Sequence, residues 1–194
     1  MSSLPTTVRH YHRRARRPFL NLSDLPEDEL ERVRSELVEE QRAGLHDRTF
    51  GARYMQLRRR TEEKLRDLFI RAGGEPERPA PHYFVLGESQ WFAGLAPDMT
   101  HVELQLADLP DEATSFTHPD SFTAMALGPE FGLPYEPRAC HEQVFRLADL
   151  ERIVAEYGVP DDPGPHGYDG YAHRPFEMYI EIQLWTDGPI AALL

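Results

Sequence analysis

The sequence predicts an α+β fold in which an N-terminal helical hairpin packs on a mostly antiparallel, split β-sheet. Two amphipathic helical patterns occupy the first part of the chain, and short alternating strand patterns occupy the rest. Only one or two short helices separate those strands, which argues against repeated βαβ units. With 194 residues, of which 40% are hydrophobic, the chain can bury one core but is short for two full domains.

Residues 1–22 are basic, and we expect them to form a flexible leader. They contain five arginines and no acidic residue, although the whole chain has a formal net charge of -12. Docking of this leader on the protein's own acidic surface is one interpretation, and an arm that binds RNA or a partner protein is the other. Nucleic acid binding is expected through the leader alone. Residues 81–194 hold four basic residues against nineteen acidic ones and would repel phosphate backbones.

Residues 23–74 predict the helical hairpin. A start signal at residues 23–27 precedes apolar residues spaced by three and four up to Gly44. A second helical pattern runs from Phe50 to Ala72. We expect each apolar face to be buried, either on the following sheet or on a second copy of the chain in a homodimer. The arginine run at residues 58–60 could form a phosphate-binding patch, but acidic residues lie within helical reach and favour a solvated, self-paired face.

Residues 82–194 follow a proline-rich connector and predict a β-rich core that forms one globular unit with the hairpin. Short patterns predict strands at residues 83–86, 102–106, 113–117, 143–147 and 179–185. A helix is expected between the cap at Asp149 and the stop at Gly158, and a helical turn near Pro119 or Asp120. We expect residues 160–176 to form a long irregular loop, and such loops in small domains are commonly functional or mobile.

The last predicted strand carries the main candidate site. Its alternation places Tyr179, Glu181, Gln183 and Trp185 on one face and aliphatic residues on the other. A carboxylate and an amide between aromatic side chains are typical of the wall of a small-molecule cleft. A solvated sheet face would show the same pattern. If Glu181 is partly buried, desolvation should raise its pKa, as is common for acid-base carboxylates.

Two upstream segments supply further candidates. Residues 81–92 begin a strand with a histidine that binds substrate or satisfies nearby backbone groups, and end in an aromatic turn. Residues 114–122 are rich in hydroxyl side chains, which border clefts or cap helices. The predicted catalytic residues are Glu181 and His118, and the predicted substrate-binding residues are His82, Tyr83, Trp91, Ser115, Thr117, Asp120 and Gln183.

Cysteine and histidine chemistry provides alternatives. Cys140 is the single cysteine, so no intrachain disulfide forms and a reducing compartment is expected. Its neighbour His141 would point to the opposite face of a strand, which disfavours a nucleophile pair. A metal-dependent enzyme remains an alternative, although no HExxH or paired CxxC motif occurs and no metal ligand is assigned. The residues that such a site would draw on are His118, Asp120, His141, Glu142, His166 and His173.

Three features of the sequence predict the cellular context: the lack of a long apolar run, the lack of a signal segment and the excess of arginine over lysine. No run of 18 apolar residues occurs, and the basic N-terminus is not followed by an apolar signal segment. We therefore expect a cytoplasmic protein with no membrane contact. Twenty arginines against one lysine indicate a GC-rich bacterial genome.

The order of these parts resembles the ADP-ribosyltransferase-like fold over residues 82–190. A strand at His82 and Tyr83, a hydroxyl-rich strand at residues 115–117, a small helix and a late strand with Glu181-x-Gln183 carry the resemblance. It implies NAD as a substrate, a nicotinamide ribose pocket at Ser115 and Thr117, and Glu181 as the carboxylate that stabilises a ribosyl cation.

The chain departs from that family on the first strand. His82-Tyr83 stands where an arginine, or a histidine with a small residue, is expected, and no arginine lies between Arg78 and Arg138.

Three functional hypotheses follow. The first is a small cytosolic bacterial enzyme with an acidic cleft, which binds a small molecule and uses NAD in ADP-ribosyl transfer or glycohydrolysis. The second is a non-enzymatic acidic interaction or regulatory protein that self-associates through its helical hairpin. The third is a metal-dependent enzyme with histidine and carboxylate ligands.

Overall fold

The computed structural model describes residues 4–46, 48, 50–51, 53–162, 164, 173 and 176–194. It has the predicted α+β fold. The strands are β1 (Thr7–Arg13), β2 (His82–Leu86), β3 (Met99–Gln105), β4 (Thr114–Thr117), β5 (Phe145–Arg146) and β6 (Glu181–Leu184). The α-helices are α1 (Glu27–Arg42), α2 (Tyr54–Arg71), α3 (Gln90–Ala93), α4 (Ser121–Ala124) and α5 (Leu150–Tyr157). Short 3-10 helices span Leu22–Asp24, Leu106–Asp108, Asp111–Ala113, Gly128–Phe131, Leu147–Asp149 and Gly188–Leu193.

The strands form one six-stranded sheet in the order β3-β1-β2-β6-β4-β5, and each of its pairings is antiparallel. The last strand of the chain, β6, lies between β2 and β4. Glu181 is opposite Thr117 of β4, and Gln183 is opposite Tyr83 of β2 and Ser115 of β4. This register brings side chains from three distant segments onto one face of the sheet.

The basic segment expected to be a flexible leader contributes strand β1, so residues 7–13 are not a leader. The strand pairs along its whole length with β3, and at Val8 and Arg9 with β2. Its arginines have acidic partners from distant parts of the chain. Arg9 Nε lies 2.8 Å from a Glu103 carboxylate oxygen, and Arg13 Nε lies 2.7 Å from one of Asp98. These ion pairs let an arginine-rich segment join the sheet.

The sheet is split between β1 and β2. Their pairing ends at Arg9, and the His10 imidazole bridges the gap that follows. His10 Nδ1 donates to the Tyr83 carbonyl at 2.9 Å, and Nε2 accepts from the Phe19 backbone N–H at 3.0 Å. Burial lowers the pKa of His10 to about 4, so the ring is neutral, as these two hydrogen bonds require.

The two faces of the sheet are covered differently. One face packs its aliphatic and aromatic side chains against α5, including Leu150 and Ile153. The other face is covered by α2, where Leu65 and Phe69 pack on Trp185. Helix α1 buries its apolar residues against residues of the preceding turn and of the segment leading into α2. The apolar faces of both hairpin helices are therefore buried within the chain itself, and self-association through them remains a prediction.

None of the helices in the described part of the chain is both long enough and apolar enough to cross a membrane.

Candidate functional site

A cavity of about 1000 Å³ lies at the split between β1 and β2, and residues from both faces of β2, His82 to Val85, line it. Aromatic side chains from several elements line it, among them Tyr11, Tyr54, Tyr83, Trp91 and Tyr179. Trp91 and Tyr179 stack with their ring centres 6.1 Å apart. A cavity of this size with aromatic walls is suited to a drug-sized or nucleotide-sized ligand.

The charged residues of the lining are mostly cationic. Among the described residues, seven arginines and one carboxylate line the cavity: Arg9, Arg13, Arg16, Arg17, Arg48, Arg53, Arg58 and Glu181. The lining thus differs from the acidic cleft predicted from sequence, because the N-terminal basic segment folds against the cavity. Five of these arginines pair with acidic residues outside the lining, whereas Arg17 and Arg48 form no ion pair within the described part of the chain.

Glu181 is the carboxylate of this cavity. Its side chain is buried, with the residue 8% exposed, and Oε1 accepts from Gln183 Nε2 at 3.0 Å. The side chain and the backbone of Ser121 also hydrogen-bond to it. Burial raises the pKa of Glu181, and these hydrogen bonds with the charge of Arg58 oppose that rise. The carboxylate is therefore held in one orientation at the wall of the cavity.

A buried hydrogen-bond chain beneath the cavity holds Gln183. Gln183 Nε2 donates to Thr117 Oγ1 at 3.1 Å, and its Oε1 accepts from Ser115 Oγ at 2.8 Å. Ser115 Oγ in turn accepts from Trp185 Nε1 at 2.8 Å. These four residues are buried and do not line the cavity. Ser115, Thr117 and Gln183, predicted to bind substrate, thus lie behind Glu181 and fix its position.

Asp120 lies near Glu181 but does not line the cavity. It is fully buried, and its Oδ1 caps α4 by accepting from the Thr123 backbone N–H at 3.1 Å. Its Oδ2 has no hydrogen-bond partner within the described residues. Burial, together with the charge of Glu181, raises the pKa of Asp120 well above its usual range. The role visible for Asp120 is the helix cap.

His118 lies on the other side of the sheet from Glu181. Because neighbouring residues of an extended chain point to opposite faces, Thr117 faces α2 and His118 faces α5. His118 Nε2 donates to the Gly158 carbonyl at 2.9 Å, and Nδ1 is 3.8 Å from Cys140 Sγ. The two predicted catalytic residues are not brought together, and His118 is absent from the described lining.

The remaining predicted residues, His82, Tyr83 and Trp91, all line the cavity. His82 Nε2 lies 2.8 Å from Asp187 Oδ1, a carboxylate that Arg78 also contacts at 2.6 Å. Burial lowers the pKa of His82, although Asp187 opposes this effect. The imidazole is thus engaged by a surface ion-pair network.

An inward-facing ion pair on α2 completes the site. Arg58 Nε donates to Glu62 Oε1 at 2.9 Å, and its guanidinium lies over the Tyr83 ring, 5.1 Å from the ring centre. Tyr83 Oη donates to the same Glu62 oxygen at 3.0 Å. The sequence predicts a solvated face for residues 58–60, which the exposed Arg59 and Arg60 fit. Arg58 differs because Tyr54, Arg58 and Glu62 are four residues apart and share the inner face of α2.

No group of three or more histidine, cysteine, aspartate or glutamate residues suited to a metal ion occurs in the described part of the chain. His166 lies outside the described residues, as does most of the predicted loop at 160–176.

Comparisons of the chain with protein-family models, with characterised proteins and with solved structures found no match. The geometry of the cavity is therefore the basis of the functional argument.

Proposed function

We propose that the protein is an enzyme that binds an anionic, ring-containing small molecule in this cavity and uses Glu181 to stabilise positive charge on it. The observation that carries the proposal is the composition of the wall, in which one buried carboxylate stands among arginines and aromatic rings. Aromatic side chains supply contact area for rings, and guanidinium groups bind phosphates and carboxylates through paired hydrogen bonds.

The support behind Glu181 suits this role. A carboxylate stabilises a developing cation best when it is already oriented and partly shielded from water, because no reorganisation is then needed during the reaction. Gln183 and Ser121 provide that orientation, and the residues behind Gln183 are fully buried. Ser115 and Thr117 contribute by holding Gln183.

Within this class, we propose NAD as the substrate, in ADP-ribosyl transfer or glycohydrolysis. In either reaction the electrons of the nicotinamide–ribose bond leave with nicotinamide, and positive charge develops on the ribosyl carbon. Glu181 would stabilise that charge until an acceptor or water attacks. The arginine lining supports this choice, because a pyrophosphate needs cationic partners. Residues 79–137 contain no arginine or lysine, so these cations come from other parts of the chain.

Release of nicotinamide from NAD by the purified full-length protein tests the proposal. Glu181→Gln should lower the rate by about 100-fold or more, as expected for loss of a preorganised electrostatic group. Its free energy of unfolding should stay within about 1 kcal/mol of the wild-type value. Glu177→Gln is the matched control, because Glu177 pairs with Arg138 at 2.7 Å and does not line the cavity. This control should retain the wild-type rate.

Three results would count against the proposal. Absence of nicotinamide release by the wild-type protein would exclude NAD turnover. Equal rates for the wild type and Glu181→Gln would remove the role of Glu181. Unfolding of Glu181→Gln would show that this carboxylate is structural.

A further inference from the structure

Two tyrosines share the Arg58–Glu62 ion pair but hold opposite hydrogen-bond roles. Tyr83 Oη donates its proton to Glu62 Oε1 at 3.0 Å, so that proton is fully engaged. Tyr54 Oη instead accepts a hydrogen bond from Arg58 Nη1 at 3.0 Å. Both tyrosines line the cavity.

Within the described part of the chain, the Tyr54 hydroxyl accepts one hydrogen bond, from Arg58. Its own proton has no acceptor among these residues. A phenol that accepts a hydrogen bond from a cation and keeps its own proton free loses that proton readily, since the cation stabilises the phenolate that remains. Tyr83 lacks this property because deprotonation would place its phenolate beside a carboxylate.

Arg58 is fixed in place independently of Tyr54. Its Nε contacts Ser23 Oγ at 3.1 Å and Glu62 Oε1 at 2.9 Å, and its Nη2 donates to Asn21 Oδ1 at 2.9 Å. The guanidinium therefore presents Nη1 to the Tyr54 oxygen without further adjustment, which is the arrangement of a preorganised site.

We propose that Tyr54 is the proton-transfer residue of the cavity and that Arg58 is its positioning residue. This inference rests on the proposed function, because it supplies the acid-base group that the His118 prediction does not provide. Nicotinamide leaves as a neutral molecule and needs no proton, whereas the attacking water or acceptor hydroxyl must lose one as its oxygen bonds to the ribosyl carbon. The phenolate form of Tyr54, beside Arg58 Nη1–H, takes that proton and becomes the phenol. The phenol then releases the proton to solvent at the cavity mouth, which restores the phenolate.

The charges around Tyr54 agree with this role. Burial alone would raise the pKa of Tyr54, but the charges of Arg58 and Arg48 and the Arg58 hydrogen bond outweigh it, so the pKa is lowered. Glu62, the acidic group that faces it, opposes this effect. For Tyr83, burial and Glu62 together raise the pKa well above its usual range.

Titration of tyrosine side chains labelled with ¹³C at Cζ tests the inference on the full chain without any substrate. Tyr54→Phe and Tyr83→Phe assign the two resonances. Tyr54 should titrate below an exposed tyrosine, and Tyr83 should not titrate within the stable pH range. Arg58→Gln should shift the Tyr54 titration upwards. The matched control is Arg59→Gln, because Arg59 is the exposed neighbour on the same helix, with a side chain that is 46% exposed. It should leave the titration unchanged.

The inference would be overturned if Arg58→Gln did not raise the pKa of Tyr54. It would also be overturned if Tyr54 in the wild type titrated at or above the pH at which an exposed tyrosine titrates. If Arg58→Gln fails to fold, the wild-type titration alone decides. In the NAD assay, Tyr54→Phe should lower the rate by about 100-fold or more and remove one limb of the pH-rate profile. A titration as expected with no turnover by the wild type would refute the NAD proposal and leave the Tyr54–Arg58 pair intact.

Discussion

The two faces of strands β2, β6 and β4 are both buried, but by different chemistry. The face towards α5 carries Phe84, Phe116 and Ile182, each at most 1% exposed, and is stabilised by apolar burial, which needs no particular direction. The face towards α2 carries Glu181 and Gln183 from the same strand β6. There each polar group must find a partner, since an unpaired buried polar group costs free energy.

This difference separates a core from a site. Hydrogen-bonded polar groups in a core add little net stability compared with apolar residues of similar size, so the α2 face is not explained by stability. Its hydrogen-bond chain ends at one carboxylate in the cavity wall. Two interpretations of the β6 pattern were open, a cleft wall and a solvated face. Burial of Gln183 and Trp185 excludes a solvated face.

The largest effect is expected on the apolar face. Phe116→Ala removes a fully buried ring that contacts Phe145 with ring centres 5.4 Å apart. It should lower the free energy of unfolding by about 3–5 kcal/mol, because it loses apolar burial and leaves a cavity. Urea unfolding followed by circular dichroism measures the change. A loss below about 1 kcal/mol would mean that this face is not the main core.

A smaller loss, with a different cause, is expected on the polar face. Gln183→Met keeps the side-chain volume but leaves the Ser115 hydroxyl without its acceptor and removes one of the donors to Glu181. The free energy of unfolding should fall by about 1–3 kcal/mol, the cost of unsatisfied buried groups. Ile182→Val is the matched control from the opposite face of β6, and it should cost about 0.5–1.5 kcal/mol.

Only the polar-face change should also reduce nicotinamide release, since it loosens Glu181. Equal activity in the folded Gln183→Met variant would show that the hydrogen-bond chain has no part in the site.

Local patterns predicted much of the fold. The alternation at residues 179–185 identifies both faces of β6, and the α+β class is confirmed. Strand β1 was not predicted, because the acidic partners of its arginines lie between residues 40 and 103. When those partners are not known, a run of arginines predicts a solvated leader.

The candidate site was predicted in part, for physical reasons. Alternation shows which side chains share a face, but it does not show what covers that face. Leu65 and Phe69 of α2 pack with Ala124 and Met125 on Trp185 of that face. Gln183, Ser115 and Thr117 are fully buried there, so they lie behind the cavity and not in its wall. His118 lies beyond the end of β4, where one further residue reverses the facing direction. Tyr54 and Arg58 were missed, although their spacing of four on α2 was a usable signal.

The central claim is that the cavity beside Glu181 binds an anionic small molecule. The two tryptophans of the chain offer a direct test, because Trp91 lines the cavity and Trp185 is buried beneath α2. NAD is titrated into Trp185→Phe, which reports through Trp91, and into Trp91→Phe, which reports through Trp185. The account predicts a saturable change of fluorescence in Trp185→Phe and none in Trp91→Phe. No saturable change in Trp185→Phe, or the same change in both variants, would contradict it.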